Sequence, residues 1–192
     1  MWSKMDIKSY ITDSINAKSK MLNSLDFIAT IEEIVKVIVK AYSNNKKVLT
    51  AGNGGSAGDA QHLVGELISK VFKERPPLSA IALTTDTSVI TAVSNDFGYE
   101  EVFARQVEAN AQVGDVFIAI STSGNSANII KALEVAKNKG VITVGFTGIN
   151  ECKMDEFCDY IIHVPSEKTP IIQESHIMIS HIICAIVEEE MF

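Results

Sequence analysis

Lys47-Val48-Leu49-Thr50-Ala51-Gly52-Asn53-Gly54-Gly55-Ser56-Ala57-Gly58 is a short run of strand-forming residues that stops at Gly52, turns on glycines and enters a helix opening with Ser56. Strand, turn and helix in that order form the repeating unit of parallel sheets. The unit recurs along the chain. Ser79–Leu83, Val116–Ile120, Val141–Phe146 and Tyr160–Val164 read as further strands, with helices between most of them, including Glu101–Ala111 and Ala127–Lys139. The central runs are apolar on both alternating faces, as expected of parallel strands covered by helices on each side. The fold class is therefore α/β, a doubly wound, three-layer sheet of five parallel strands. Such sheets bind ligands beyond the carboxyl ends of their strands, which directs attention to the residues after Ala51, Leu83, Ile120 and Phe146.

The two ends of the chain add helices. One is expected from about Asp6 to Leu25. A second, from Phe27 to Tyr42, carries Ile31, Ile34, Val35, Ile38 and Val39 at helical spacing and ends at Ser43-Asn44-Asn45. The last helix opens at Thr169-Pro170, read as an N-cap followed by proline at the first helical position, and runs to about Glu189. It is apolar nearly all round, so it needs cover beyond what one small domain supplies, and a subunit interface is expected. The whole chain, residues 1–192, reads as one domain, with residues 1–45 a helical extension that packs in an oligomer.

Composition narrows the function. Hydrophobic residues make up 46 % and charged residues 21 %, and the net charge is −7 with Lys and Arg scattered, so a nucleic-acid partner is not expected. No uncharged apolar run reaches the ~18 residues that span a bilayer. The opening Met1-Trp2-Ser3-Lys4-Met5-Asp6 lacks a signal peptide's apolar centre. Cys152, Cys158 and Cys184 show no metal-type clustering and read as reduced thiols. A cytoplasmic protein without a membrane segment is expected.

Two loops suit a phosphate. In Gly52–Gly58 the glycines allow close backbone approach to an anion, and the following helix directs its N–H groups there. Gly52, Gly54 and Ala57 also fit the G-x-G-x-x-A form of a dinucleotide fingerprint, but Leu83 is followed by Thr84-Thr85 rather than the ribose-binding acid such a site needs. No Gly-Lys-Ser/Thr follows to make a Walker A loop. Ser121-Thr122-Ser123-Gly124-Asn125-Ser126 offers four hydroxyls in six residues. A serine-rich turn with an N-cap is the bland reading of that loop, and a phosphate monoester is the sharper one. Two such loops at neighbouring strand ends favour a phosphorylated sugar over a dinucleotide.

For proton transfer, His62 and Glu66 lie one turn apart on the first-loop helix, an arrangement that a surface ion pair would also give. The last helix offers Gln173, Glu174, His176 and His181. Helical geometry sets Glu174 ~20°, Gln173 ~80° and His176 ~140° from His181, which does not choose among them. A histidine in so apolar a helix needs a partner.

Taken in order, Ala51–His62, Asn95-Asp96-Phe97-Gly98, Ser121–Ser126, and Ile172-Gln173-Glu174 with His181 resemble the phosphoheptose isomerases of the sugar isomerase (SIS) family. The likeness runs from about residue 30 onward. It implies an aldose–ketose isomerisation of sedoheptulose 7-phosphate to D-glycero-D-manno-heptose 7-phosphate, leading to activated heptoses for lipopolysaccharide or capsule. It also implies Glu66 as base, His181 as its acid–base partner, and substrate contacts from Asn53, Gly54, Gly55, Ser56, Glu66, Asn95, Asp96, Ser121, Thr122, Ser123, Ser126 and Gln173. By the same resemblance one zinc ion per subunit is held by His62, Glu66, Gln173 and His181, no nucleotide cofactor is used, and a homotetramer has its sites between subunits. A zinc-bound carboxylate is a weakened base, so the metal either polarises the substrate carbonyl or only fixes the pocket. The bland reading of Asn95-Asp96 is a turn. The sequence departs from the family at Gly65, where alanine or glutamate is common, and at Lys70, where arginine is common and offers a bidentate fork.

Three other readings compete. One is a non-catalytic SIS protein of the kind that associates with the bacterial replication initiator, which lacks counterparts of Glu66 and His181. The second is an isomerase for another phosphosugar. The third is a nucleotide-binding oxidoreductase.

Overall fold

The computed structural model describes residues 6–192; the opening Met1–Met5, on which the reading of a chain without a leader rests, lies outside them. Two helices lead in. α1 (Ile7–Leu22) is capped by Asp6, whose carboxylate accepts from the Lys8 and Ser9 N–H groups, and α2 (Leu25–Ser43) by the Ser24 hydroxyl accepting from Phe27. Leu25 therefore opens the second helix instead of closing the first, because Ser24 is the better cap.

The sheet follows: β1 (Val48–Gly52), α3 (Gly55–Ile68), β2 (Ala80–Ala82), α4 (Thr87–Phe97), α5 (Val102–Asn110), β3 (Val116–Ile120), α6 (Ala127–Asn138), β4 (Ile142–Thr147), β5 (Tyr160–His163) and α7 (Thr169–Met191). All five strands are parallel, in the order β2-β1-β3-β4-β5. The doubly wound α/β expectation holds. The winding reverses between β1 and β3, so the loops after Gly52 and Ile120 flank the switch point, where such sheets take their ligands.

Alternation along the strands fills two layers. Val48, Ile118, Ile120, Val144, Phe146 and Ile162 pack beneath α2, α3 and α7. Leu49, Ala51, Phe117 and Ala119 face α5 and α6 on the other side. The buried Thr50 hydroxyl donates to the Ala60 carbonyl at 2.9 Å and ties β1 to α3. Gly52 is required here: a Cβ would lie 2.3 Å from the Ser56 carbonyl oxygen.

Two local expectations change. Asn95 and Asp96 are not in a turn but in the last turn of α4, a helix missed because its β-branched Thr and Val residues weaken the helical signal and none of it is buried. Asp86 starts it by accepting from Val89 N–H at 3.0 Å, and Gly98 (φ 95°) ends it. At the head of α7 the N-cap is Lys168, with Thr169 and Pro170 already helical: Ile171 and Ile172 N–H both donate to the Lys168 carbonyl.

Among the described residues α7 is the one helix long and apolar enough to cross a membrane. It packs instead against α3 and α2, with half of that stretch buried. Further apolar surface is left open: Ile7, Ile11 and Ile15 form an exposed stripe on α1, and Leu22, Phe27, Ile28, Ile182 and Ile186 line a separate groove where α1, α2 and α7 meet.

Candidate active site

The glycine loop is closed by its own backbone, Ser56 N–H donating to Asn53 C=O at 3.0 Å and Ala57 N–H to Gly54 C=O at 3.1 Å. Gly54 takes φ 57°, a left-handed conformation suited to glycine. The Asn53 side chain pairs amide-to-amide with buried Asn128 of α6, both bonds 2.9 Å, and accepts from the Tyr99 hydroxyl at 3.0 Å. Its amide thus joins the glycine loop to the first turn of the helix behind the serine loop. Neither Tyr99 nor Asn128 was singled out from sequence, since no local spacing marks a contact made 46 or 75 residues away.

In the serine loop the Ser121 hydroxyl lies 3.4 Å from that of Ser123 and 3.1 Å from that of Ser126. Gly124 N–H donates to Ser121 C=O, and the Asn125 side chain braces the turn by donating to Ser123 C=O and accepting from Lys153 N–H. Three pooled hydroxyls on a braced loop can turn their donors toward one anion. Thr122 and Ser123 line a cavity of about 200 Å³ completed by Gly148, Asn150, Ser166, Glu167 and Ile172. Of these lining groups the sequence pointed to the serine loop, to Ile172 and to the general position after β4.

The histidines of α3 and α7 meet. His62 Nε2 lies 2.7 Å from His181 Nε2 and 3.3 Å from a Glu66 carboxylate oxygen, and the three ligand atoms all fall within 4.8 Å of one another. Both histidines are exposed and Glu66 is partly so. Two imidazoles and one carboxylate match zinc's ordinary donors. Nitrogens ~2.0–2.1 Å from a tetrahedral ion stand about 3.3 Å apart, so a small outward rotation of the rings fits one.

Gln173, one turn into α7, lies over Gly55: a Cβ on that glycine would come within 2.4 Å of its amide nitrogen and 2.9 Å of its amide oxygen. Glu174 turns the other way and bonds to Ser14 and Lys18 of α1. The ambiguity on the helical wheel is thereby resolved, with Gln173 at the glycine loop and Glu174 anchoring α1. His176 is buried beneath β4, its Nε2 donating to Thr147 C=O at 3.2 Å. Asn95 and Asp96 bond to each other at 2.8 Å on the exposed side of α4. Asp59, one turn before His62, has a carboxylate oxygen without a partner among the described residues; burial pushes its pKa up to about 6, against the pull of His62.

A parallel sheet with two anion-type loops at its switch point and a His–Glu–His cluster beside them defines a sugar isomerase domain, and the SIS domain family matches residues 10–148. The chain is 56 % identical to a phosphoheptose isomerase of Aneurinibacillus thermoaerophilus over 97 % of this chain and 94 % of that protein. It is 55 % identical to phosphoheptose isomerase 2 of Campylobacter jejuni, over 97 % and 92 % respectively. A solved phosphoheptose isomerase from Francisella tularensis superposes with TM-score 0.91 at 38 % identity, covering 95 % of this chain and 96 % of that one. The chain belongs to the phosphoheptose isomerase family of SIS-domain proteins.

Proposed function

We propose that the protein interconverts sedoheptulose 7-phosphate and D-glycero-D-manno-heptose 7-phosphate. The observation that carries the reading is the His62–Glu66–His181 cluster, set beside two loops suited to phosphate in a chain more than half identical to named phosphoheptose isomerases. Gly54, Gly55 and Ser56 on one side and Ser121, Thr122, Ser123 and Ser126 on the other hold the phosphate end, while Gln173, Asn95 and Asp96 contact sugar hydroxyls. Asn53 contributes through its backbone, its amide being engaged with Asn128 and Tyr99.

The Glu66 carboxylate removes a proton from C1 of the ketose, next to the C2 carbonyl, and returns it to C2. His181 moves a proton between the two oxygens of the intervening enediol. A zinc ion held by His62, Glu66, Gln173 and His181 would supply charge to polarise the sugar carbonyl. The exposed apolar stripe of α1 and the open faces of α2 and α7 support a homotetramer with the N-terminal helices at its interfaces and the sites between subunits. The reaction belongs in the cytoplasm, on the route to activated heptose for a surface polysaccharide.

The test is incubation of zinc-supplied protein with sedoheptulose 7-phosphate while aldose formation is followed. Turnover supports the reading; a folded, zinc-loaded and inert protein overturns it in favour of another phosphosugar or a binding role. A sharper probe is Gly55→Ala. The three atoms nearest the new methyl all belong to the flexible end of Gln173, so the melting temperature should stay within a few degrees. Turnover should fall about 10–100-fold, because misplacing a sugar-contacting amide by ~1 Å carries that penalty.

A further inference from the structure

Beyond the two loops, the loop after α3 is pinned by a buried ion pair. Arg75 and Glu188 are each 1 % exposed at the side chain, with Nε to Oε2 at 3.0 Å. The Glu188 carboxylate also accepts from three consecutive backbone N–H groups, Val71 at 3.0 Å and Phe72 and Lys73 at 2.7 Å. The guanidinium in turn donates Nη2 to Glu66 C=O and Nη1 to Leu67 C=O, both at 2.8 Å. These carbonyls belong to the last turn of α3, where helical N–H donors run out.

The placement matters more than the pairing. Glu188 follows His181 by seven residues in α7, so it stands on nearly the same face, ~20° around and ~10 Å along the axis. Arg75 holds the main chain of Glu66 itself. One planar group thus fastens the turn that presents Glu66 to the face that presents His181. The cluster spans the same two helices through the 2.7 Å contact of His62 with His181, which a slip of one helix past the other would break. Buried ion pairs add little net stability against apolar replacements, and their best-attested use is to fix register.

We propose that Arg75 and Glu188 are positioning residues, setting the α3–α7 register that brings His62 and Glu66 to His181. This rests on the reading of that cluster as the working site. A lysine at 75 retains the charge but cannot fork across two carbonyls and a carboxylate.

The experiment compares Arg75→Lys with the parent and with Glu189→Ala, which removes the neighbouring exposed pair Lys73–Glu189. Three quantities are read: thermal unfolding, kcat and KM separately, and zinc affinity by competition with a chromophoric chelator. Expected for Arg75→Lys are a folded protein, kcat down about tenfold with KM within twofold, and zinc affinity down about 10–100-fold. Glu189→Ala should match the parent in all three. Should Arg75→Lys fail to fold, Glu188→Gln is measured in its place, with the same expectation. Parent-like kcat and zinc affinity in a folded variant overturns the proposal, as does an equal loss in Glu189→Ala. The zinc competition needs no substrate, so a parent that does not isomerise the heptose phosphate sinks the assigned reaction while the register is still read.

Discussion

Glu66→Gln and His181→Ala should each lower kcat for sedoheptulose 7-phosphate by about 10²–10⁴-fold, the range for loss of a positioned base or acid. Glutamine keeps the shape and the hydrogen-bonding reach of Glu66 but cannot accept a proton from carbon. Alanine at 181 removes the ring that lies 2.7 Å from His62. Neither side chain is in the core: His181 is exposed and Glu66 partly so. Both variants should therefore keep the parent's circular dichroism and unfolding midpoint. Because the two groups serve one proton circuit, the double variant should be little worse than the weaker single one. KM should move far less than kcat, since the loops proposed to hold the phosphate contain neither residue. Retention of a tenth or more of kcat in either variant would remove that residue from the acid–base pair.

The second large effect is on stability in acid. His176 is fully buried, with Nε2–H donating to Thr147 C=O and Nδ1 lacking any partner among the described residues. Burial pushes its pKa down from 6.5 to about 4, against the weaker upward pull of the Thr147 carbonyl. The unfolded chain thus takes up a proton that the folded one refuses. Stability is complete above pH 6.5 and declines as pH falls toward about 4, by ~1.4 kcal/mol per unit, or roughly 3 kcal/mol in all. His176→Leu should flatten that part of the profile in urea unfolding. The Thr147 carbonyl would still accept from Val164 N–H at 3.0 Å. Identical slopes for parent and variant between pH 6.5 and 4.5 would refute the assignment. Glu188 acts in a separate window. Burial alone would raise its pKa, but three backbone donors and Arg75 outweigh that and hold it at about 2. Its contribution is present above about pH 4.5 and is lost only as pH falls further, through about 2.

The strands were legible because parallel strands buried on both faces carry an uninterrupted apolar signal, as Val116–Ile120 does with every residue buried. The glycine and serine loops were legible because their chemistry is local: each lies within one short stretch of chain. The helix Thr87–Phe97 was not, since a helix that buries none of its residues leaves no strong amphipathic trace. The choice between Gln173 and Glu174 could not be made on a wheel, because one helix's geometry says nothing about which neighbour stands on each side. Contacts such as Asn53–Asn128 and Arg75–Glu188 join residues 75 and 113 positions apart. Nothing in either local sequence announces them. The meeting of His62 and His181 came from family likeness alone and needed the packing of α7 on α3 to become a distance.

That meeting spans 119 residues of chain, which bears on how the site comes into being. At ribosomal speeds of ~5–20 residues per second, His181 is made roughly 6–24 s after His62. Throughout that interval the growing chain lacks α7, the helix that packs on α3 and α2. It has no partner for His62. The synthesis of α7 is therefore the event that completes the His62–Glu66–His181 cluster.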